Sequence, residues 1–443
     1  MPPRHVNIII MTACFSMLCY VVQRRTKTAL MVGDAIAMID AYYVDPVDAD
    51  QLVVSALNGM TESLDDHSEF IAEQNYQAFQ DSIQQEFAGI GIYVEQPEPD
   101  QPVRVITPLV GSPALAAGLL PGDRILRVEN ENVSSMPLAD VSQRLKGPIG
   151  TEITIGIQRE SDTLDIRVKR DRIEIDSVIG DHRNQDNEWV YRLSQRPEVA
   201  YLRLTSFGDR TVKETRDALA SLEQDYKGLI LDLRGNGGGL LHAAVEISDM
   251  FLSNGRIVST RTRGGVLEDQ FDATEGTLVD PNIPIAILID QDSASASEIV
   301  AACLQDHGRA VIVGKRSFGK GTVQNILPLQ YGRSALRLTV ARYYRPNGEN
   351  IHRKRDASED ERWGVLPDTG FEVALDATKI EALAERWRES SYPSLASIKG
   401  ESTNTKENPS SGTREEPSSP ITVEEDVRLD DQLWAAVDAL KLD

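Results

Sequence analysis

The sequence predicts a multidomain α/β protein, and three observations lead there. First, 443 residues are too many for one ordinary hydrophobic core, so two or three folded units are expected. Second, strand-like and helix-like segments alternate from Ile173 to about Pro393, which implies a mostly parallel sheet with helices on its faces. Third, the stretch from Phe87 to Arg170 is written in short β-branched or alternating runs with only two short helices between them, so a separate β-rich unit precedes the α/β core.

The chain opens on a mostly apolar run, Val6 to Val22, preceded by Arg4 and His5 and followed by Arg24, Arg25 and Lys27. That run is short for a spanning helix, and no small-x-small cleavage site follows it. The reading is a signal-anchor or signal peptide over residues 1–27, with an uncleaved anchor favoured over cleaved export or a buried helix. An exported, membrane-anchored or periplasmic location follows as an expectation. Acidic residues outnumber basic ones by 69 to 46, a formal charge of −23, and such a surface repels phosphate backbones. A nucleic-acid partner is therefore not expected. The three cysteines, Cys14, Cys19 and Cys303, supply no disulfide framework.

Residues 28–84 form a helical region: Ala29 to Tyr43 and Ala49 to Leu64 carry apolar residues at helical spacing, and Leu64 to Ser68 reads as a turn containing His67. Residues 85–172 contain strands at Ile90–Glu95, Val103–Thr107, Asp123–Glu129, Glu152–Gln158 and Leu164–Val168, with helices at Ala114–Ala117 and Leu138–Leu145. In residues 173–394, Val199–Leu204 leads to a helix from Thr211, Gly228–Leu233 to one from Leu240, and Ile283–Ile289 to one from Glu298; Ala310–Val313 and Ser334–Tyr344 add strands. Residues 395–425 shift to Ser, Thr, Glu, Lys and Pro, a composition that cannot bury enough apolar surface to order itself. Residues 426–443 hold a last amphipathic piece, Leu429 to Leu440, with no evident docking place.

Two motifs carry candidate chemistry. Asp292 to Glu298 reads Asp-Ser-Ala-Ser-Ala-Ser-Glu at a strand-to-helix corner, where unpaired backbone N–H groups and the helix dipole favour negative charge. Ser295 with Glu298 is equally the pattern of a capping box, and Ser293, Ser295 and Ser297 leave a nucleophile undetermined by local chemistry. The N–H of Ala296 is placed as an oxyanion donor if Ser295 attacks. Phe318 to Gln324 sets Lys320 between two glycines. Serine with lysine is a workable nucleophile and base, provided the amine loses about three units from its free pKa of about 10.4. No acidic residue lies between Asp306 and Glu349, and Val311, Ile312, Val313, Phe318, Val323 and Ile326 supply apolar walls for that shift. Gln324 is a neutral partner for the amine. The loop Asp232-Leu-Arg-Gly-Asn-Gly-Gly-Gly239 lacks the glycine that a dinucleotide fingerprint needs at Leu240 and lacks a P-loop lysine, so Gly237 and Gly238 are read instead as oxyanion donors. A Ser–His–Asp arrangement using His242 or His307 with Asp232 is the weaker alternative, because both histidines read as surface residues.

The run Gly111 to Gly118 followed by Pro121 to Val128 resembles bacterial PDZ domains, which bind peptide carboxyl ends as an added strand. That resemblance sets Gly89, Ile90, Gly91 and Ile92 as the carboxylate-binding loop. From about Leu30 to Asp368 the chain resembles the C-terminal processing peptidases, or tail-specific proteases. It carries Tyr43-Val-Asp-Pro-Val47, the Leu64–Ser68 turn, both motifs above and Trp363-Gly-Val-Leu-Pro-Asp368. The resemblance implies a crotonase-like core with an inserted PDZ domain, Ser295 as nucleophile, Lys320 as base and Gln324 as its support. It also implies protein or peptide substrates, no metal or organic cofactor, and scope for a homo-oligomer. Asn236-Gly-Gly-Gly239 replaces the family's Asn-Pro-Gly-Gly and Arg345-Pro-Asn-Gly-Glu349 its proline-serine-glycine run, so a looser loop is expected. A non-catalytic membrane-tethered PDZ scaffold and an acyl-CoA enzyme on the same core are the rival readings.

Overall fold

The computed structural model describes Met11, Met17 and residues 30–223, 225–358, 360–392 and 430–442. The expected anchor, 1–27, and linker, 395–425, lie outside the described residues, apart from Met11 and Met17. Among the described residues no helix is long and apolar enough to cross a membrane. Two compact units are present: residues 1–76 with 324–339, and 77–323 with 340–443.

In the first unit, residues 30–42 are helical, and the helix Ala49–Glu62 starts where Asp48 caps the N–H groups of Asp50 and Gln51 at 2.9 and 3.2 Å. The strand Glu69–Ile71 pairs antiparallel with residues 335–337. Asp65 closes the preceding turn by accepting the N–H groups of His67 and Ser68 at 2.8 and 2.7 Å.

The second unit contains the expected β-rich domain. Its strands Ile92–Glu95, Val103–Pro108, Arg124–Val128, Glu152–Arg159 and Asp162–Lys169 form one antiparallel sheet in that order, and Glu131–Asn132 adds an edge piece. Ile153, Ile155 and Ile157 alternate into the core with Val103, Val105 and Ile125, all at most 1% exposed. Proline at the first turn and Ser112 as cap, accepting Leu115 N–H at 3.2 Å, start the helix Pro113–Ala116. Buried Asp123 is held by Arg159 through two parallel bonds of 2.8 and 2.7 Å.

The α/β core is a sheet in which Arg196–Leu204, Gly228–Asp232, Ile285–Ile289 and Val311–Gly314 run parallel in that order. Val178–Ile179 and Arg192–Leu193 pair antiparallel with the first of these, so the sheet is mixed at one edge. Gly228–Asp232 and Ile285–Ile289 are buried at every position, as strands covered on both faces must be. On one face Leu202, Leu204, Leu229, Leu231, Ile287 and Ile312 pack with residues of the helices Thr211–Ser221, Leu241–Asp249 and Ala296–Asp306. The residues between them, Tyr201, Ile230, Ala286, Leu288 and Val313, face the other way and meet Leu433, Ala436 and Val437 of the helix Asp431–Ala439 and Leu440, which caps its end. The last amphipathic piece therefore covers the second face of the sheet. The helix Glu73–Gln84 falls within the helical region expected over 28–84, though no separate helix is assigned there from the sequence, and Ala377–Ser390 was not anticipated.

Candidate active site

Ser295 sits where the strand Ile285–Ile289 has ended and the helix Ala296–Asp306 begins. Its backbone has φ 56° and ψ −111°, a conformation sparsely populated by non-glycine residues and outside the extended geometry of an ordinary N-cap. Strain of this kind gathers at functional sites and costs about 1–3 kcal/mol.

The neighbouring serines have other work. Ser293 is fully buried, donating to Leu233 O and accepting Asp290 N–H, both at 2.9 Å. Ser297 is fully buried and donates to Asn236 O at 2.8 Å. Ser295 alone of the three is partly exposed. Burial thus sets Ser295 apart from Ser293 and Ser297.

Glu298, fully buried, joins the two candidate motifs. Its Oε2 accepts Ser295 N–H and Lys320 N–H, both at 2.8 Å, and its Oε1 accepts Gly319 N–H at 2.7 Å and Ser317 Oγ–H at 2.5 Å. Burial pushes the Glu298 carboxyl up, and the Ser317 hydroxyl and three N–H groups only partly pull it back. Tyr343, also buried, donates to Ser295 O at 3.3 Å, and burial followed by the Glu298 charge raises its phenol well above the usual range. The sequence had suggested surroundings of Lys320 free of carboxylates; helix Ala296–Asp306 brings one in from 22 residues away. Phe318 is 46% exposed rather than an apolar wall, while Ile312 and Val313 are fully buried on opposite faces of the sheet.

The late family motif packs on the same loop. Trp363 lies under the guanidinium groups of Arg316 and Arg353, at 4.5 and 4.3 Å, and Val365 N–H donates to Ser317 Oγ at 2.7 Å. A Cβ on Gly319 would fall 2.8 Å from Arg353 Cβ and 3.0 Å from Trp363 Cε3 at a φ of +88°, so this position requires glycine. Gln324 lies on the strand Thr322–Leu329, where its Nε2 donates to Thr339 Oγ1 at 3.1 Å.

The glycine-rich loop closes against the serine turn. Asn236 Nδ2 donates to Leu204 O at 2.8 Å, and its carbonyl accepts Ala294 N–H at 3.0 Å and Ser297 Oγ–H. Gly238 N–H is taken by Asn236 Oδ1 at 2.9 Å, which removes Gly238 as an oxyanion donor in this geometry. A Cβ there would stand 2.6 Å from Ala294 O, 2.8 Å from Ser295 Cβ and 2.9 Å from Ala296 N. Gly237 is exposed, with open space around it, and Ala296 occupies the first helical position, whose N–H has no intrahelical acceptor. Asn236 therefore ties down the turn that was expected to loosen without proline.

Asp232, the acid of the alternative triad, is consumed elsewhere: Tyr201 Oη–H and Arg234 donate to it at 2.6 to 3.0 Å. His307 Nε2 lies 2.7 Å from Arg256 O, and His242 is exposed on the first turn of its helix. In the β-rich domain, Ile90 is buried and its carbonyl accepts Ala114 N–H at 2.9 Å, while Gly91, at φ +75°, packs so closely that a Cβ would meet Ser112 Cβ at 2.5 Å. Gly89 ends the strand Glu86–Gly89, and Ile92 starts the edge strand facing Pro108.

Residues 198–370 match the family described as Peptidase family S41, and residues 77–158 match the PDZ domain. The chain is 39% identical over 360 residues to a carboxy-terminal-processing protease of Bartonella bacilliformis, covering 80% of this chain and 77% of that one. It belongs to the carboxy-terminal processing proteases of the S41 family. A second relative, carboxy-terminal processing protease CtpA of Bacillus subtilis, is 33% identical over 352 residues, covering 79% and 71% of the two chains. Among solved structures, a photosystem II D1 C-terminal processing protease aligns at 28% identity and a TM-score of 0.43, covering 78% of this chain and 92% of that one. This S41 protease is accordingly a serine-type peptidase with a PDZ domain, acting on protein or peptide substrates.

Proposed function

We propose that Ser295 is the nucleophile and Lys320 the general base of this protease. The observation that carries the assignment is the shared acceptor: one buried carboxylate, Glu298, fixes the backbone of both residues. Neutral Lys320 takes the Ser295 hydroxyl proton as Oγ attacks the scissile carbonyl carbon. The N–H groups of Gly237 and Ala296 hold the oxyanion. Lys320 then passes the proton to the departing amine, and water, deprotonated by the same lysine, hydrolyses the acyl-enzyme. The role given to Gln324 as support for the amine rests on the family motif.

The PDZ domain takes a substrate's carboxyl-terminal tail beside the strand Ile92–Glu95, with the loop Gly89–Ile92 at its carboxylate, or else gates access to Ser295 and Lys320. The finer reading of the core as crotonase-like, the anchor in residues 1–27, the extracytoplasmic location and homo-oligomer formation belong to the same proposal and rest on the sequence.

Ser295→Ala and Lys320→Ala, assayed on casein and with a fluorophosphonate probe, test it. Each abolishes cleavage and leaves the melting temperature within a few degrees of wild type. Normal cleavage by Lys320→Ala with loss in His242→Ala overturns it. A scaffold without catalysis would give no probe labelling in the wild type.

A further inference from the structure

The buried cluster at Arg234 ties the end of the chain to the loop beside Ser295. Arg234 is 1% exposed, and all five of its guanidinium N–H positions are used. Nε and Nη2 donate to Asp232 at 2.9 and 2.6 Å; Nη1 and Nη2 donate to the two oxygens of Asp430 at 2.8 and 2.9 Å; Nη1 also donates to Gln432 Oε1 at 3.1 Å. Asp430 is itself 1% exposed and caps the helix Asp431–Ala439 by accepting Leu433 N–H at 3.0 Å. Two carboxylates thus hold one guanidinium, and the second of them is 196 residues away in sequence.

From Arg234 the loop runs directly to the candidate oxyanion donor. Gly235 N–H is held by Asp290 at 3.0 Å, Asn236 bonds the serine turn through Ala294 N–H and Ser297 Oγ–H, and Gly237 stands between Asn236 and the close-packed Gly238. Asp430 fixes the near end of this loop and the serine turn fixes its far end.

We propose that the carboxyl-terminal segment is a positioning element of the catalytic site: Asp430, through Arg234, holds the Arg234–Gly238 loop in the shape that presents Gly237 N–H to the oxyanion. The segment also closes the second face of the sheet, but a cover needs only apolar residues. A buried carboxylate aimed at the one arginine that opens the loop is additional: Arg234 is already paired with Asp232, so a cover has no need of a second buried charge, whose desolvation is costly. The inference rests on the reading of Ser295 and its oxyanion loop.

The test uses the full chain carrying Asp430→Asn, with Trp434→Ala as a packing control from the same helix. For Asp430→Asn the expected result is a kcat per folded molecule at least 10-fold below wild type, with KM within about twofold, and slowed fluorophosphonate labelling by a similar factor. Trp434→Ala lowers the melting temperature and leaves kcat per folded molecule unchanged. If Asp430→Asn does not fold, Asp430→Glu, which keeps the charge but displaces it by a methylene, shows at least a threefold loss of kcat. Wild-type kcat in folded Asp430→Asn or Asp430→Glu overturns the inference, as does a kcat loss of equal size in folded Trp434→Ala. Ser295→Ala is assayed alongside. If it still cleaves, the nucleophile assignment falls; if it is inactive while Asp430→Asn is fully active, only the role of the carboxyl-terminal segment falls.

Discussion

The backbone N–H groups of Ser295 and Lys320 share a single acceptor, Oε2 of Glu298, at 2.8 Å each. Hydrogen bonds to a charged group are worth about 1.5–3 kcal/mol each, and stranding a buried donor costs a similar amount. Glu298→Gln turns one acceptor oxygen into a donor facing N–H groups. The expected outcome is a protein that still folds with a lowered melting temperature and a kcat/KM down at least 10-fold. Thermal unfolding by circular dichroism and peptide cleavage check it, and unchanged kcat/KM contradicts the linkage.

The backbone of Ser295 makes a separate prediction. At φ 56° any Cβ is strained, so Ser295→Ala keeps the strain and Ser295→Gly releases it. Both variants are inactive, yet Ser295→Gly is more stable than Ser295→Ala by about 0.5–1 kcal/mol, against the usual entropic penalty of glycine. Parallel denaturant titrations decide this. A less stable glycine variant means the turn is not strained in solution.

Gly237 and Gly238 are adjacent but unlike. A methyl group on Gly238 meets Ala294 O at 2.6 Å and Ser295 Cβ at 2.8 Å at a φ of +97°, whereas one on Gly237 meets nothing within 4 Å. Gly238→Ala is therefore expected to destabilise the protein by about 2 kcal/mol or more and to abolish labelling of Ser295. Gly237→Ala keeps the wild-type melting temperature to within a degree or two. Equal stability of the two variants speaks against the packed loop.

Much of the core was legible because its signals are local. The helices Pro113–Ala116 and Leu138–Leu145 and the buried strands Gly228–Asp232 and Ile285–Ile289 follow from caps, spacing and continuous apolar runs. What stayed hidden depends on partners distant in sequence. Glu298 read only as a cap because Ser317, Gly319 and Lys320 meet it through tertiary packing. Arg234 read as part of a glycine-rich loop because its second carboxylate, Asp430, follows a long polar stretch. Gly238 was taken for a donor because no pattern announces that the side chain of Asn236 claims its N–H. The helix Ala377–Ser390 was missed because its apolar residues are sparse, only Leu383 being buried.

Cys303 gives a prediction about pH. It lies in the helix Ala296–Asp306, and burial, followed by the charge of Asp306, pushes its thiol up to about 12. The thiolate is the reactive form, so at pH 8 native Cys303 resists iodoacetamide and becomes labelled only on denaturation, as peptide mass spectrometry reads directly. The sign of the stability effect follows. The folded thiol stays protonated while the unfolded one ionises above about pH 8.5, so the unfolded state binds fewer protons and stability falls as pH rises from there toward 12. The slope approaches about 1.4 kcal/mol per pH unit once the unfolded thiol is ionised. Buried tyrosines such as Tyr201 and Tyr343 add to the alkaline loss in wild type and variant alike. The difference between wild type and Cys303→Ala isolates the thiol: wild type loses stability more steeply than the variant between pH 9 and pH 11. Parallel stability–pH curves, or rapid labelling of Cys303 in the native protein, mean the thiol is not held in its buried, protonated form.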